Sequence, residues 1–328
     1  MNVKEICVAI ICLSLIPLGL VMWISNVNAR ETTIRDLTLM EYVQETQSGF
    51  VDNSIYEEEI NIEELADSDG EGEEESKEPL PSSVKIVMNF AGDCTIGSDS
   101  NYGYKNTFYD VYDQQQGNYS YFFENMQSLF ANDDITVVNF EGTLTDYKVK
   151  TPKEFNFRAP PEYANVILSG DIQAVNLANN HTKDYGQTGY DDTLKTLEEY
   201  GIPYFGYDNY YIFEKDGIKI GFAGLTAIWD GTIEKRIDNA IAYFDENSCN
   251  AKVFTFHWGN ERVYKQNEYQ KRVGHYAIDH GVDLIVGHHP HVVQGIEEYN
   301  GKYIVYSLGN FCFGGNTNPQ TKIPWYLT

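Results

Sequence analysis

Three histidines, His288, His289 and His291, follow an apolar segment in the last quarter of this sequence. The segment, Leu284–Val286, is typical of a buried strand, and Gly287 marks its end. A rigid strand that ends in clustered imidazoles places nitrogen donors at a fixed edge, which suits a metal ion or a phosphate group. The alternative is a surface loop that happens to be rich in histidine. The first interpretation is favoured because polar residues of ligand type follow four other apolar segments.

Those four segments end in residue types that bind divalent cations, namely Asp93, Glu141, Asn180-His181 and His257. In open α/β sheets ligands bind beyond the carboxyl ends of the strands, so parallel strands would bring these side chains to one edge. Mixed oxygen and nitrogen ligands suit manganese, zinc or iron, and a bridging carboxylate would hold two such ions. Each residue alone has an ordinary interpretation, such as turn hydrogen bonding for Asp93. Their recurrence at strand ends predicts a divalent-metal site.

The segments that must position these residues alternate between strand and helix from Val84 onward, which predicts an α/β fold. Apolar runs without polar alternation indicate central strands that are covered on both faces. The predicted strands are Val84–Phe90, Ile135–Phe140, Ile172–Leu177, Val253–Phe256 and Leu284–Val286. The predicted helices are Tyr119–Phe130, Pro161–Ser169, Tyr190–Tyr200 and Glu268–His280. Asp216-Gly217 and Asn300-Gly301 predict two β-hairpins.

The first 83 residues are predicted to differ from the rest. Residues 1–29 contain an uncharged stretch, Ile6–Ser25, which as a helix of about 30 Å would span a bilayer, either as a retained signal-anchor or as a cleaved signal peptide. Residues 30–83 hold 17 acidic and 3 basic residues, which predicts an acidic disordered linker. We therefore expect a single-pass protein of the cell membrane whose domain, residues 84–328, lies outside the cytoplasm.

Composition limits the classes of partner. The 328-residue chain has 49 acidic and 23 basic residues and a formal net charge of −26, which excludes general nucleic-acid binding. Its five cysteines have no CxxC spacing and indicate neither a disulfide framework nor a zinc ribbon. Apolar residues make up 42% of the chain, enough for a substantial core.

Six motifs in fixed order resemble the CapA family of bacterial capsule-synthesis proteins, also called PgsA, of poly-γ-glutamate biosynthesis. The motifs are Gly92–Gly97, Asn139–Gly142, Asn179–Gly186, His257–Glu261, Gly287–Gln294 and Tyr306–Phe311. The resemblance covers about residues 84–316. It implies a membrane-anchored protein of capsular poly-γ-glutamate synthesis or export, which would work beside synthase subunits on an anionic polymer.

The CapA family is similar in fold to calcineurin-like metallophosphoesterases, so the resemblance also implies an α/β/β/α sandwich. It implies six ligands for one or two divalent ions of manganese, zinc or iron: Asp93, Glu141, Asn180, His257, His289 and His291. Asp93 and His291 would bind one ion, Glu141 would bridge, and the other three would bind the second ion. His181 would be the general acid, oriented by Asp184, in metal-assisted hydrolysis or transfer at phosphorus or at a carbonyl.

Two positions depart from the phosphoesterase pattern. Thr95 stands where those enzymes usually have a histidine, and Glu141 stands where they have an aspartate. One ion site is therefore expected to be weak, or the site to hold a single ion, with His288 a neighbour rather than a ligand. Two other functions stay open: a stand-alone metal-dependent phosphoesterase, and an inactive binding scaffold of the same fold.

Two further expectations concern the surface and the end of the chain. Six basic residues are candidates for electrostatic steering of an anionic polymer: Arg158, Lys183, Lys235, Arg236, Arg262 and Lys265. For most of them an ordinary solvated surface is the favoured explanation. Family members usually continue beyond the position of Thr328 with further strands. A truncated C-terminus, with an exposed sheet edge and lower stability, is therefore expected.

Overall fold

The computed structural model describes the backbone of residues 5–13, 17–28 and 31–41, and the whole of residues 84–101, 103–228 and 231–314. The predicted division into residues 1–29, 30–83 and 84–328 stays a prediction, because residues 42–83 and 315–328 lie outside the described residues.

The N-terminal segment forms strands. Strands β1 (Glu5–Leu13), β2 (Pro17–Asn28) and β3 (Glu31–Glu41) pair antiparallel in one sheet. The predicted membrane helix over Ile6–Ser25 is therefore wrong, and no helix among the described residues is long and apolar enough to cross a bilayer. The single-pass localisation that depended on this helix is wrong with it. Apolarity does not distinguish helix from strand, and many β-branched residues, with Pro17 between them, favour strands.

Helices and strands alternate in the rest of the chain. The helices are α1 (Phe108–Gln114), α2 (Gln127–Phe130), α3 (Ala164–Ser169), α4 (Gly186–Glu199), α5 (Ile233–Glu246) and α6 (Glu268–Asp279). The strands are β4 (Met88–Thr95), β5 (Ser98–Asp99), β6 (Ile135–Phe140), β7 (Thr143–Leu144), β8 (Phe157–Ala159), β9 (Ala174–Asn176), β10 (Tyr204–Phe205), β11 (Tyr211–Lys215), β12 (Ile218–Thr226), β13 (Ala251–His257), β14 (Leu284–His288), β15 (Ile296–Tyr299), β16 (Lys302–Val305) and β17 (Asn310–Phe313).

Two larger sheets organise these strands. Sheet I has the order β10-β9-β6-β4-β17, and all its neighbours are parallel. Sheet II has the order β11-β12-β13-β14-β16-β15, with parallel pairs in the centre and an antiparallel pair at each edge. Strands β5, β8 and β7 form a small third sheet. The predicted mixed α/β class with parallel sheets is confirmed.

Sheets I and II pack face to face between two layers of helices. The core between the sheets joins Met88 and Val137 of sheet I to Phe222 and Val286 of sheet II, all buried. The outer face of sheet I packs against α1 to α4, and the outer face of sheet II packs against α5 and α6. Each sheet is apolar on both faces because each face is covered, which explains the runs without polar alternation.

Local signals fix several of these elements. Asp216 and Gly217 have φ of 51° and 74° between β11 and β12, and Asn300 and Gly301 have φ of 50° and 70° between β15 and β16. Positive φ at both central residues is the geometry of a two-residue hairpin, so both predicted hairpins are confirmed. Helix α6 begins at Asn267 with a capping box in which the Asn267 and Gln270 side chains bond each other's backbone N–H.

Two predicted elements are corrected. The helix predicted over Tyr119–Phe130 is instead a 3-10 turn at Tyr119–Phe123 and the short α2, because Phe123 and Phe130 turn into the core beside Phe311. The first strand does not stop at Phe90. It runs on to Thr95, because the Asp93 N–H bonds the Gly309 carbonyl at 2.9 Å and β17 pairs beside it. Asp93 therefore lies inside β4 rather than after it.

Candidate metal centre

Sheets I and II bring their carboxyl ends together at one place. Asp93 lies near the end of β4, and Glu141 directly follows β6. His257 ends β13 and is in register with His288, which ends β14. These four side chains are at most 2% exposed. Parallel pairing therefore brings the predicted ligand types to one edge of the molecule.

An amide chain orients the two carboxylates. The Asn139 side-chain N–H group donates to Asp93 Oδ1 at 2.8 Å and to Glu141 Oε1 at 3.1 Å. Its own oxygen accepts hydrogen bonds from Asn176 at 2.8 Å and from Asn179 at 3.3 Å. Because all of these groups are buried, the chain of amides keeps both carboxylates in one orientation.

The imidazoles of sheet II meet these carboxylates directly. His291 Nδ1 lies 3.0 Å from Asp93 Oδ2 and 2.9 Å from Asn310 Oδ1. His288 Nδ1 lies 3.4 Å from Asp93 Oδ1. His288, expected as a neighbour rather than a ligand, therefore packs directly against one of the two carboxylates.

A second contact set surrounds His257. Its Nε2 atom lies 3.5 Å from Glu141 Oε1 and 2.8 Å from Asn180 Oδ1. The His257 and His289 rings are 4.7 Å apart between centroids, and those of His289 and His291 are 5.8 Å apart. All six predicted metal ligands thus lie in one connected cluster.

The loop that carries two of these imidazoles is strained. His289 has φ of 97° and His291 has φ of 57°, in a region that residues with a side chain rarely adopt. Such conformations cost about 1–3 kcal/mol each and persist only where the surroundings impose them. Here the Arg262 N–H donates to the Pro290 carbonyl at 2.8 Å, and the Ser307 hydroxyl donates to the Val292 carbonyl at 2.8 Å. The strain supports a functional role for the loop.

The two carboxylates have different proton affinities. Burial raises the pKa of Asp93, but the imidazoles of His288 and His291 beside it outweigh burial and hold the pKa well below its usual range. Burial and the nearby charge of Asp93 raise the pKa of Glu141 well above its usual range. Like charges in a buried site favour the entry of a cation.

The imidazoles also differ from one another. Burial and neighbouring histidines lower the pKa of His257 strongly and that of His289 to about 4, so both are neutral at pH 7. Burial lowers the pKa of His291 too, but Glu141 and Asp93 outweigh burial and raise it to about 10. The carboxylates therefore stabilise positive charge at His291, while His257 and His289 are in the neutral form that binds metals.

His181 and Asp184, the predicted proton-transfer pair, are in contact. His181 Nδ1 lies 2.9 Å from Asp184 Oδ2, which also accepts the Phe157 N–H at 2.5 Å. Lys153 forms an ion pair with Asp184 Oδ1 and donates to the Asn180 carbonyl at 2.7 Å. Burial lowers the pKa of His181, and Asp184 offsets part of this effect. A neutral His181 whose Nδ1–H faces Asp184 leaves Nε2 for a substrate.

Two groups of side chains bring their ligand atoms within 4.8 Å of one another: Asp93, Glu141 and His291, and Glu261, His289 and His291. Glu261 is an exposed residue that sequence reasoning did not assign, although it ends the His257–Glu261 motif. Lys153 and Asn310 were missed as well. Glu261 could have been found from its motif, whereas no local pattern marked Lys153.

The cluster fits a divalent cation. Within the described part of the chain, five buried ligand-type atoms of the cluster form no hydrogen bond: Asp93 Oδ2, Glu141 Oε2, His257 Nδ1, His288 Nδ1 and His289 Nδ1. No described lysine or arginine forms an ion pair with Asp93 or Glu141. Unsatisfied buried polar atoms are costly, and this set of oxygen and nitrogen donors suits manganese, zinc or iron. Thr95, also buried, has a hydroxyl that bonds none of the described residues, and it supplies no imidazole.

The described chain is a mixed α/β protein with parallel sheets and a buried cluster of carboxylates and imidazoles where the two larger sheets meet. The family described as bacterial capsule synthesis protein PGA_cap matches residues 87–315, and the chain belongs to this family.

Three similar proteins carry names from capsule or polymer synthesis. The chain is 30% identical over 251 residues to the PGA biosynthesis protein CapA of Bacillus subtilis, covering 70% of this chain and 63% of that protein. It is 30% identical over 220 residues to the capsule biosynthesis protein CapA of Bacillus anthracis, covering 59% of this chain and 54% of that protein. A Mycobacterium tuberculosis protein, called a probable polyglutamine synthesis accessory protein, is 26% identical over 54% of this chain and 55% of its own length. The chain thus spans between 54% and 63% of the length of these relatives.

Likeness to solved structures is low. A hypothetical protein of Thermus thermophilus has a TM-score of 0.41 at 12% identity, covering 58% of this chain and 71% of that one. The NAD nucleotidase NadN of Haemophilus influenzae has a TM-score of 0.34 at 19% identity, covering 58% of this chain and 40% of that one. No conclusion about this chain rests on either likeness.

Proposed function

We propose that this chain is an accessory protein of capsular poly-γ-glutamate synthesis or export and that it acts through a metal-dependent site of hydrolase or transferase type. The observation that carries the proposal is the group of buried Asp93, buried Glu141 and half-buried His291, whose ligand atoms lie within 4.8 Å of one another. Membership of the capsule synthesis family and the names of the relatives support the pathway. The geometry of the cluster supports the chemistry.

One or two divalent cations would be held between sheets I and II. Asp93 and His291 would bind the first, and Glu141 would lie between the two positions. The second would be bound by the remaining three predicted ligands, Asn180, His257 and His289. This assignment is supported by the contacts of His257 with Glu141 and Asn180, and of His291 with Asp93. Since Thr95 supplies no imidazole to the first position, a single bound ion is the other arrangement to test.

When bound, such a cation would polarise a phosphoryl or carbonyl oxygen and stabilise the charge that develops on it. The chain's own residues would do the rest. Asn139 keeps the carboxylates in position through its two hydrogen bonds. His181 would be the general acid: in its doubly protonated form it would give the Nε2 proton to the leaving group, while its Nδ1–H donates to Asp184. Lys153 would hold the Asp184 carboxylate in place through their ion pair.

The finer fold assignment is part of the proposal. We assign residues 84–328 to one domain of the calcineurin-like metallophosphoesterase type, an α/β/β/α sandwich. Support comes from the two covered sheets, each packed against its own layer of helices. Support also comes from the position of the cluster at the carboxyl ends of parallel strands, where ligands bind in α/β proteins.

Partners follow from the same pathway. Poly-γ-glutamate synthase subunits would supply the polymer, and the polymer itself would be the anionic substrate. The name of the Mycobacterium tuberculosis relative, an accessory protein, supports a role beside a synthase rather than as the synthase.

Metal analysis combined with polymer measurement tests the proposal. The 328-residue chain would be purified and its manganese, zinc and iron measured by mass spectrometry, for the parent and for Asp93→Ala. A strain without the gene would be complemented with each form, and its capsular polymer measured. We expect bound metal and polymer in the parent, and loss of both in the variant.

Other outcomes separate the remaining functions. A chain that holds no divalent metal and a variant that restores full polymer would leave a binding scaffold. Metal-dependent hydrolysis of simple phosphoesters, with normal polymer in the deletion strain and no co-purifying synthase, would instead identify a stand-alone phosphoesterase.

A further inference from the structure

A cavity of about 180 Å³ lies outside the candidate metal centre. It lies between the small sheet of β5, β8 and β7 and the start of α1, and its walls include Tyr104, Tyr109, Arg158 and Tyr185. At about 30 Å³ for each water, its volume corresponds to roughly six waters, enough for one short polar group with a few methylenes. None of these four residues belongs to the candidate metal centre.

Among the described residues that line this cavity, Arg158 is the single cation, and its backbone is fixed from both sides. It pairs with Ser98 of β5 and with Thr143 of β7, and its carbonyl accepts the Tyr109 hydroxyl at 2.6 Å. One guanidinium N–H group donates to the Thr145 carbonyl at 2.7 Å. No described carboxylate pairs with Arg158, so most of its five donors remain for a ligand.

Tyr185 adds a second donor that has no partner within the described residues. The side chain is only 2% exposed, its ring lies 5.7 Å from the Arg158 guanidinium carbon, and its hydroxyl bonds no described residue. Arg158 and Tyr185 both line the cavity, so their remaining donors are available to water or to a ligand. Tyr104 and Tyr109 give the cavity aromatic walls that suit methylene groups.

The one carboxylate among the described lining residues does not compete for Arg158. Asp99 is 2% exposed, and its two oxygens accept the Asn101 and Asn156 N–H groups at 2.7 Å each. Lys150 Nζ lies 3.6 Å from Asp99 and donates to Asn101 Oδ1 at 2.7 Å. The negative charge of Asp99 is thus already balanced, and Arg158 keeps the cavity attractive to anions.

The cavity is joined to the proton-transfer pair by two chain neighbours. Tyr185 directly follows Asp184, and Arg158 directly follows Phe157, whose N–H donates to Asp184 and whose ring lies 4.6 Å from His181. The cavity and the proton-transfer pair therefore share β8 and the start of α4 as supports.

We propose that this cavity is a carboxylate-binding subsite, in which Arg158 and Tyr185 hold one α-carboxylate of a γ-linked glutamate chain. The inference rests on the proposed function and names its substrate contact. A guanidinium binds a carboxylate through two parallel hydrogen bonds, which a single arginine supplies without help. The aromatic walls would cover the methylenes of the same glutamate.

Binding of a synthetic tetramer of γ-linked glutamate to the full 328-residue chain tests the proposal. Calorimetry would compare the parent with Arg158→Gln and Tyr185→Phe, with Arg272→Gln as control, since Arg272 is exposed on α6 and pairs with Glu234. We expect the dissociation constant to rise about tenfold or more for Arg158→Gln and about threefold for Tyr185→Phe, with no change for the control. A tetramer whose α-carboxyls are amides, and inorganic phosphate, should bind the parent at least about tenfold more weakly than the acid tetramer.

Several results would overturn the subsite. These are a parent that does not bind the tetramer, equal binding by parent and Arg158→Gln, or equal binding of the amide tetramer. Tyr185→Phe keeps the ring and its packing, so a loss of binding in that variant cannot be explained by misfolding. Asp93→Ala separates the two proposals: binding lost there and kept in Arg158→Gln would place the polymer on the metal centre alone. Binding lost only in the cavity variants, in a chain without bound metal, would support the subsite and contradict the metal-dependent function.

Discussion

Sheets I and II contribute opposite chemistry to the same place. Sheet I supplies oxygen ligands, with Asp93 on β4 and Glu141 after β6. Sheet II supplies nitrogen ligands, with His257 at the end of β13 and the histidines that end and follow β14. Neither sheet alone carries a complete donor set. The candidate metal centre therefore exists only where the carboxyl ends of the two sheets meet.

The buried ionisable groups of each sheet also have shifted pKa values. In sheet I, burial and the charge of Asp93 raise the pKa of Glu141, and in sheet II, burial and neighbouring imidazoles lower the pKa values of His257 and His289. Asp93 and His291 are the exceptions, because they face each other: the pKa of Asp93 is held well below its usual range, and that of His291 rises to about 10. A cation between the sheets would favour the charged form of Glu141 and would be bound by the neutral imidazoles of His257 and His289.

The largest expected effect tests whether both sheets hold the same ion. Asp93→Ala removes a ligand from sheet I and His257→Ala one from sheet II. We expect each to weaken Mn²⁺ binding by more than about 100-fold, since loss of groups that merely support ligands already costs about 10–100-fold. Calorimetric titration of manganese measures this. His275→Ala is the matched control, because His275 lies on α6 and pairs with Glu297. Full affinity in His257→Ala would show that sheet I binds the ion alone.

The next effect concerns the glycines that precede the ligands on both sheets. A Cβ at Gly92 would lie 2.0 Å from the Gly309 carbonyl oxygen, and a Cβ at Gly287 would lie 2.0 Å from the Tyr306 carbonyl oxygen. We expect Gly92→Ala and Gly287→Ala to lower the free energy of unfolding by about 2 kcal/mol each, because the backbone must move. Urea denaturation measures the change, and Gly231→Ala, with no atom within 4 Å, should be neutral. Equal stability of all three variants would contradict this packing.

A smaller effect is expected at Glu261, because its carboxylate would give the ion an oxygen ligand from outside sheet I. Its carboxylate lies with His289 and His291 in one group of ligand atoms. We expect Glu261→Gln to weaken Mn²⁺ binding by about tenfold, as for groups that support metal ligands. Calorimetry would compare it with Glu268→Gln, an exposed glutamate on α6. If both variants bind like the parent, Glu261 is an ordinary surface acid.

The smallest effect lies at the opposite end of sheet I, before β6. Burial raises the pKa of Asp133 to about 6, with hydrogen bonds from Thr136 and Asn89 offsetting part of the rise. The unfolded value is about 3.9. The folded state thus holds the proton more tightly, and its stabilisation is complete below about pH 4 and lost as the pH rises through about 6.

Asp133→Asn removes this titration. Between about pH 4 and pH 7 we expect the stability of the variant relative to the parent to rise by about 1 kcal/mol, a value reduced to allow for the exposed part of Asp133. Urea unfolding at both pH values measures the difference. Asp191→Asn, a change at an exposed residue of α4, is the control. A pH-independent difference for Asp133→Asn would contradict the shifted pKa.

Strands and hairpins were predicted better than the start of the chain and the aromatic helix. Ile135–Phe140 forms a strand as predicted, and both turns at Asp-Gly and Asn-Gly are hairpins, because apolar runs and turn residues are local signals. The described parts of the apolar stretch Ile6–Ser25 form strands where a helix was predicted, because an unbroken apolar run does not distinguish a helix from a strand. Tyr119–Phe130 failed because tertiary packing of its aromatic rings outweighs helix propensity.

The sequence by itself determined which residue types stand at the strand ends and in which order, and therefore the family and the list of candidate ligands. Local pattern is sufficient for this, because an apolar run followed by an acid or a histidine is visible without coordinates. Only the tertiary structure decided that residues far apart in the chain, such as Asp93 and His291, are in contact at 3.0 Å. It also decided the placement of Lys153, Glu261 and Arg158. Contacts between sheets and loops depend on packing and produce no periodic pattern in the sequence.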